Sequence, residues 1–209
     1  KESTKRRISY LSEINRKLFK KEKKFDLNSF LKICKINLEI CSALDHQERC
    51  HELLARTNQF NISGRNYDCD SFKILLENGD CFCFKVADKF GDYGVVGFLK
   101  VIFKNESYLI TDFVMSCRVA EKRIEETILN LLFKIYSKRG DLRILFINTG
   151  KNKPIFVKLK EIGFIEKKLK NKTSILYLED HFIIANPNII NITFSDSISK
   201  KNFYKKISK

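Results

Sequence analysis

A carboxylate, a thiol and a guanidinium lie close together near the middle of the chain, in the stretch TDFVMSCRV over residues 111–119. Asp112 interrupts an apolar strand pattern, and a buried carboxylate needs a partner such as Arg118 or Arg65. It is either a general base or a member of a structural ion pair. Cys117, beside Arg118 at a helix start, is either an acyl-accepting nucleophile or a small residue packed at a strand end.

A second group of polar side chains occurs in the loop NQFNISGR over residues 58–65. It offers three amides and one guanidinium: Asn58, Gln59, Asn61 and Arg65. One interpretation is that these groups recognise a polar ligand. The alternative is that they form hydrogen bonds that stabilise the loop itself, as Asn often does in turns. The sequence leaves both interpretations open.

The elements that must position these residues run from 84 to 118. Turn residues at 91–94 and at 105–106 separate three apolar stretches, so we expect three consecutive antiparallel strands. The stretch 95–103 is a long apolar run that only Lys100 interrupts, as expected of a strand that is buried on both faces. We therefore predict a platform in which three strands lead into a helix that opens with Arg118. Such a platform can bind a phosphate-bearing cofactor.

The remaining periodicity predicts helices and strands on both sides of this platform. The expected order is β-α-α-β-β-β-α-β-α-β-β, which is a mixed α/β sheet flanked by helices. The segment 107–148 reads as a β-α-β unit, which should be right-handed with parallel strands. We divide the chain into a basic helical linker (1–30), the α/β domain (31–180) and a C-terminal extension with a basic tail (181–209). The chain starts without Met, so we expect it to be a fragment of a longer protein.

Composition narrows the function classes. The 209 residues carry a net charge of +15, which suits an acidic partner or reflects a lysine-rich surface. Because the lysines are scattered along the chain, nucleic acid is the less favoured partner. The seven cysteines contain no CxxC pair and mostly fall in apolar patterns, so we expect no metal and a reducing, cytoplasmic setting. No apolar run approaches the ~18 residues needed for a membrane span.

The order of elements resembles the GNAT acyltransferase fold, here with a basic N-terminal helix. In that family an Arg or Gln opens a glycine-containing turn whose backbone holds the pyrophosphate of coenzyme A. Arg118 matches, followed by Val119, whereas Glu121 and Arg123 replace the glycines. The resemblance implies that Arg118, Val119 and Arg123 contact this cofactor.

The same resemblance extends to the helix after the fifth strand. Asn152 matches a polar cofactor-binding position at the start of that helix. The family often has a proton-donating Tyr further along, and here that position is Leu159. The chain therefore lacks the usual acid for standard acetyl transfer.

A closer resemblance covers nearly the whole chain. The runs TNQFN (57–61), DKFGDYGVVG (88–97), TDFVMSCRV (111–119) and KNKP (151–154) are similar to the C-terminal, GNAT-like part of FkbH-like proteins. Those proteins carry a haloacid-dehalogenase-type domain of subfamily IIIC before this part. That domain loads a glyceryl group onto the phosphopantetheine thiol of an acyl carrier protein. No Asp-x-Asp-x-Thr magnesium motif occurs in this chain, so it cannot perform the loading step alone.

The resemblance implies a function for the residues above. The chain would bind the phosphopantetheine thioester of coenzyme A or of an acyl carrier protein, with Asn58, Gln59, Asn61 and Arg65 at the acyl end. Asp112 and Cys117 are the catalytic candidates. The partners would be acyl-CoA or an acyl carrier protein, with a fused catalytic domain upstream. The alternative is a non-catalytic module that only positions the carrier.

Overall fold

A computed structural model of the protein describes residues 26–136, 140–179 and 189–198. The helices are α1 (Leu27–Cys34), α2 (Gln47–Arg56), α3 (Cys69–Glu77), α4 (Ile124–Tyr136) and α5 (Lys153–Ile162). The strands are β1 (Asn37–Ser42), β2 (Asp80–Asp88), β3 (Gly91–Lys104), β4 (Ser107–Met115), β5 (Asp141–Ile147), β6 (Ile165–Lys168), β7 (Thr173–Tyr177) and β8 (Asn191–Phe194). Short 3₁₀ helices cover Ala43–His46 and Cys117–Val119.

Two parts of the predicted domain division lie outside the described residues. These are residues 1–25 of the predicted basic linker, and residues 181–188 and 199–209 of the predicted C-terminal extension. The division into 1–30, 31–180 and 181–209 therefore stays a prediction.

All eight strands form one sheet in the order β6-β7-β5-β4-β3-β2-β1-β8. β1 to β4 are antiparallel neighbours, whereas β5 runs parallel to β4 and β8 runs parallel to β1. Helix α4 connects β4 to β5, so the predicted parallel β-α-β unit is confirmed. The mixed α/β fold class is confirmed as well.

Local sequence explains where several helices begin and end. The carboxylate of Asp26 accepts hydrogen bonds from the backbone N–H groups of Asn28 and Ser29 at the start of α1. Asp68 caps α3 in the same way through the N–H of Ser71 at 2.7 Å. Gly163 ends α5 with a left-handed φ of 116°, which glycine adopts without steric strain.

The sheet carries an apolar cluster on each face. The smaller cluster packs α2 and α3 against one side of the central strands and includes Leu53, Phe72 and Phe98. The larger cluster lies on the other side with α1, α4 and α5, and it includes Phe30, Ile128 and further residues. The central strand β3 is buried from Val95 to Val101, as its apolar run predicts.

One predicted boundary is wrong. The helix that was expected to open with Arg118 begins six residues later, at Ile124. Arg118 lies in the short 3₁₀ helix instead, and Ala120 then turns to an extended conformation. Glu121 and Arg123 follow with φ values of 62° and 60°. A helix cannot continue through left-handed residues, so the turn separates Arg118 from α4.

Candidate functional site

Strands β4 and β5 diverge near the middle of the sheet. Their pairing begins at Ser107 opposite Asp141 and stops at Ile110 opposite Ile144, although β4 continues to Met115. A gap therefore opens between the second halves of the two strands.

Residues 60–62 fill that gap with their own backbone. Met115 donates its N–H to the carbonyl oxygen of Phe60 at 2.9 Å, and Ile62 donates to Phe113 at 3.1 Å. On the other side, the N–H of Ile147 donates to Ile62 at 2.9 Å. Exposed strand edges need hydrogen-bond partners, and this loop segment supplies them. The gap beside this stretch of β4 is therefore filled by the loop segment.

Asn152 holds the inserted segment in place. Its side-chain Nδ2 donates to the carbonyl oxygens of Asn61 and Ile147, both at 2.9 Å, and its Oδ1 accepts from the N–H of Thr149 at 3.0 Å. The side chain is fully buried. All of its amide groups are thus used inside the protein, which differs from the predicted cofactor contact.

Asn61 has a similar structural role. Its Nδ2 donates to the carbonyl of Thr57 at 3.1 Å, and its Oδ1 accepts from the N–H groups of Ser63 and Gly64. Only 1% of the residue is exposed. Of the two interpretations of this loop, self-stabilisation therefore holds for Asn61, and the predicted ligand contact does not.

A large cavity lies next to the filled gap and has a volume of about 990 Å³. Phe60 and Met115, which are hydrogen-bonded to each other, both line it. We call it the basic cavity because four cationic side chains reach it: Arg49, Arg56, Arg118 and Lys151. The predicted residues Asn58, Gln59, Cys117 and Arg118 all line this one cavity.

Helix α2 supplies one wall of the basic cavity. Its carboxylate at Glu52 lies between two guanidinium groups, 2.5 Å from Arg49 and 2.6 Å from Arg56. Arg49 also donates its Nε–H to the carbonyl of Val95 at 3.2 Å. The single carboxylate of the lining is therefore neutralised, and positive charge remains in excess. Anionic groups are favoured in such a cavity.

The end of β4 supplies the opposite wall. Ser116 caps the following 3₁₀ helix, and its Oγ accepts the Nε–H of Arg118 at 3.3 Å. The thiol-bearing residue Cys117 is exposed, as a nucleophile must be. Val119, a predicted cofactor contact, is instead 1% exposed within the apolar core, which leaves no side-chain surface for a ligand.

Arg123 does not line the basic cavity. Its guanidinium forms an ion pair with Glu126 and donates through Nη1 to Asn28 Oδ1 at 2.9 Å. The side chain therefore joins the start of α4 to the start of α1. The expectation that it contacts a phosphate together with Arg118 is corrected, because those two contacts hold it outside the cavity lining.

A second cavity of about 630 Å³ surrounds Asp112, and we call it the Asp112 cavity. Asp112 is 1% exposed and accepts hydrogen bonds through Oδ1 from Ser63 at 2.9 Å and Tyr67 at 3.0 Å. Its charged partner is Arg65, whose Nη1 lies 3.7 Å from Oδ2. Of the two partners that the sequence suggested, the structure selects Arg65 and not Arg118.

Two buried oxygens face no hydrogen-bond partner within the described part of the chain, namely Asp112 Oδ2 and Thr111 Oγ1. Both residues line the Asp112 cavity. An orphaned buried acceptor is costly, so these two atoms suit a ligand or water that donates hydrogen bonds. Asp112 therefore belongs to a polar site, and its two predicted roles, as a general base or as a member of an ion pair, stay predictions.

Two further side chains in the Asp112 cavity have shifted proton affinities. Burial and, after it, the negative charge of Asp112 raise the pKa of Tyr67 to about 12. Burial also lowers the pKa of Lys100, whose Nζ donates to the carbonyl of Leu75 at 2.7 Å. Tyr67 therefore keeps its proton and is a hydrogen-bond donor at neutral pH.

The structure separates the predicted catalytic pair. Cys117 lines the basic cavity, whereas Asp112 and Arg65 line the other one, and none of the described residues lines both. Sequence reasoning missed three cationic residues of the basic cavity: Arg49, Arg56 and Lys151. The spacing of Arg49, Glu52 and Arg56 along one helical face was the signal that could have found the first two.

Comparisons with known proteins identify the fold. No family model matches the chain, and no curated protein sequence matches it. Among solved structures, a domain from Methanocaldococcus jannaschii superposes with a TM-score of 0.52 at 14% identity, covering 68% of this chain and 96% of that one.

Two further solved structures match with similar scores. Ard1 from Thermoplasma volcanium gives a TM-score of 0.50 at 15% identity and covers 69% of this chain and 99% of its own. A GNAT-family acetyltransferase from Staphylococcus aureus gives 0.50 at 14% identity, with 68% and 98% covered. The protein therefore has a GNAT-like fold, and the predicted fold is confirmed. Within the described residues, no helix is long and apolar enough to cross a bilayer.

Proposed function

We propose that this protein is an acyltransferase-like domain that binds a phosphopantetheine arm, on coenzyme A or on an acyl carrier protein, in the basic cavity. The observation that carries the proposal is the convergence of Arg118 with Arg49 and Arg56 at the end of β4. The cavity is large enough for an extended small-molecule ligand. Guanidinium groups match phosphate geometry, and the exposed Cys117 lies on the same wall.

Within this proposal the polar ends of the ligand have different partners. The phosphate groups bind Arg118, with Arg56 and Lys151 nearby in the lining. Asn58 and Gln59 face the acyl end, since their amides can donate and accept hydrogen bonds. Because residues 60–62 fill the gap between β4 and β5, the arm lies in the cavity beside that gap.

The similarity to FkbH-like proteins extends the proposal to the biological context. The acyl group is then glyceryl or a related polar acyl group, and a separate or fused catalytic domain loads it onto the carrier. The net charge of +15 favours docking of an acidic carrier protein. A magnesium-binding Asp-x-Asp-x-Thr domain encoded upstream in the same gene or in a neighbouring gene would support this context, and its absence from both would contradict it.

The binding test uses coenzyme A and 4′-phosphopantetheine with the full chain in calorimetric titrations. Arg118→Ala should weaken coenzyme A binding by about 10- to 100-fold, because a hydrogen bond to a charged group contributes about 1.5–3 kcal/mol. The matched control is Arg143→Ala, since Arg143 is exposed, pairs with Asp141 and lies outside the cavity lining. Equal binding by both variants, or no binding by the wild type, would contradict the proposal.

A second candidate function is a non-catalytic module that positions the carrier for another domain. The separation of Asp112 and Cys117 into two cavities favours it, because the two candidates then cannot act on one bond. Turnover of an acyl-CoA or acyl carrier protein decides between the two functions. Turnover that is lost in Cys117→Ala supports the enzyme. Binding of the phosphopantetheinylated carrier over its apo form, without transfer, supports the module.

A further inference from the structure

A group of potential metal ligands lies on β1, β2 and the turn that follows β1. Cys41 and Cys83 face each other directly across the antiparallel pair β1–β2. The 3₁₀ helix Ala43–His46 then brings His46 back over them. The ligand atoms of Cys41, His46 and Cys83 all lie within 4.8 Å of one another. This cluster belongs to neither of the two cavities described above.

We propose that Cys41, His46 and Cys83 bind a thiophilic divalent cation of the zinc class. Tetrahedral zinc, with Zn–S of about 2.3 Å and Zn–N of about 2.0–2.1 Å, places its ligands roughly 3.3–3.8 Å apart. Since all of these atoms lie within 4.8 Å of one another, no separation needs to close by more than about 1.5 Å. The two strands fix the sulfur atoms, and the histidine on the turn has the freedom to make this adjustment.

The charges of the proposed site balance. Each thiol loses one proton to solvent on binding, and the imidazole binds through a neutral nitrogen, so Zn²⁺ and two thiolates form a neutral group. Neutrality matters because Cys41 and Cys83 are fully buried in the apolar cluster beneath α2. An isolated thiolate there would be strongly unfavourable, whereas the neutral metal complex is not.

The hydrogen bonds now made by these groups are weak and easily replaced. Cys83 Sγ donates to the carbonyl of Ser42 at 3.5 Å, and Cys41 Sγ donates to Glu39 at 3.9 Å. Within the described part of the chain, no hydrogen bond occupies the ring of His46. Cys50 belongs to the same buried cluster as Cys41 and Cys83.

The fourth coordination position lies on the side of His46, which is only half-buried. Water can reach the cluster there, and this side also gives the cation an entry path. Because α2 follows directly from His46, the bound cation would fix the start of the helix that carries Arg49 and Arg56. The inference is independent of the proposed function.

The test measures zinc and cobalt binding by the full chain, purified in reductant without a histidine tag. We expect about one zinc per chain by elemental analysis and, with Co²⁺, a thiolate-to-metal charge-transfer band. His46→Ala keeps both buried thiols and should weaken zinc binding by more than the roughly 10- to 100-fold typical of an outer-shell change.

Matched controls separate ligand loss from general destabilisation. His51→Ala removes a histidine that stacks on Phe72 instead, and Cys34→Ala removes a buried cysteine on the other face of the sheet. Both should bind zinc as the wild type does. The proposal is overturned if the wild type shows no Co²⁺ charge-transfer band with metal in excess, or if His46→Ala binds zinc unchanged. Isolation of a Cys41–Cys83 disulfide in the reduced preparation would also overturn it.

Discussion

The backbone N–H of Met115 donates a 2.9 Å hydrogen bond to the carbonyl oxygen of Phe60, across the gap where β4 parts from β5. This contact joins the loop that follows α2 to the end of the central platform. It also places both residues in the lining of the basic cavity. The cavity is thus bounded by a loop that completes the sheet, and its shape depends on that loop.

Hydrogen exchange tests whether this loop stays inserted. The amides of Ile62, Met115 and Ile147 should be protected in the ligand-free protein, because each donates to a backbone carbonyl. We expect all three to stay protected with saturating coenzyme A, since the proposed arm binds beside the gap. Loss of protection at Ile62 and Ile147 on addition of coenzyme A would show that the ligand displaces the loop.

Replacement of Asn152 by Ala should destabilise the protein by about 3 kcal/mol. The change leaves the carbonyls of Asn61 and Ile147 and one N–H without partners, and each orphaned buried group costs about 1–3 kcal/mol. Denaturant unfolding monitored by circular dichroism gives the free energy. Asn148→Ala is the control, because Asn148 is exposed and bonds only locally to Gly150. If both variants lost less than about 1 kcal/mol of unfolding free energy, Asn152 would not be holding the inserted segment in place.

The substitution Glu121→Gly should stabilise the protein by about 0.5–1 kcal/mol. Glu121 is exposed with φ of 62°, a conformation that glycine adopts without the steric cost of a Cβ. Arg123→Gly gives the matched comparison at φ of 60°, but it also removes the ion pair with Glu126 and the bond to Asn28. We expect the second variant to lose stability in the same unfolding assay. Equal effects of the two changes would contradict this account.

The Asp112 cavity makes a prediction about proton binding. Burial and then the charge of Asp112 raise the pKa of Tyr67 from 10.0 to about 12. In Asp112→Asn the charge is gone while the burial and the nearby Arg65 guanidinium, which favours the phenolate, remain, so the pKa of Tyr67 should fall below that of the wild type. NMR titration of labelled tyrosines measures the change, with Tyr67→Phe used for assignment. An unchanged pKa of Tyr67 in the variant would show that the carboxylate does not act on the phenol.

The raised pKa of Tyr67 also predicts how the free energy of unfolding changes with pH. Between pH 10 and 12 the unfolded chain has lost the phenol proton of Tyr67, whereas the folded protein still holds it. The contribution of Tyr67 to the free energy of unfolding is therefore fully present below pH 10 and is lost as the pH rises from 10 to 12. Tyr67→Phe should show a smaller loss of unfolding free energy over the same window than the wild type does.

Much of the fold followed from residue patterns. The apolar run of β3, the turns on either side of it and the helical face of α4 each reflect local periodicity, so the order of elements was predictable. The residue at which α4 begins was not predictable in this way. The glycine positions of the expected pattern carry Glu121 and Arg123, yet the backbone keeps left-handed conformations there. Side-chain type alone does not reveal such a conformation when it is held by surrounding structure.

The sequence predicted individual site residues better than it predicted which of them lie together. Asn58, Gln59, Cys117 and Arg118 were found in sequence, and the structure brings them to one cavity. Asp112 and Arg65 were found as well, but they form a separate site. Residues Arg49 and Arg56 were missed, because an arginine on a helix most often faces solvent and only packing shows otherwise.

By itself the sequence determined the secondary structure, the mixed sheet and the chemistry available near the end of β4, because these depend on local periodicity and residue type. Only the tertiary structure decided that Phe60 and Ile62 close the gap beside β4 and that Asp112 pairs with Arg65. Both outcomes depend on which distant backbone and side-chain groups satisfy buried hydrogen-bonding atoms. That choice is made when the whole chain packs, and no short stretch of sequence encodes it.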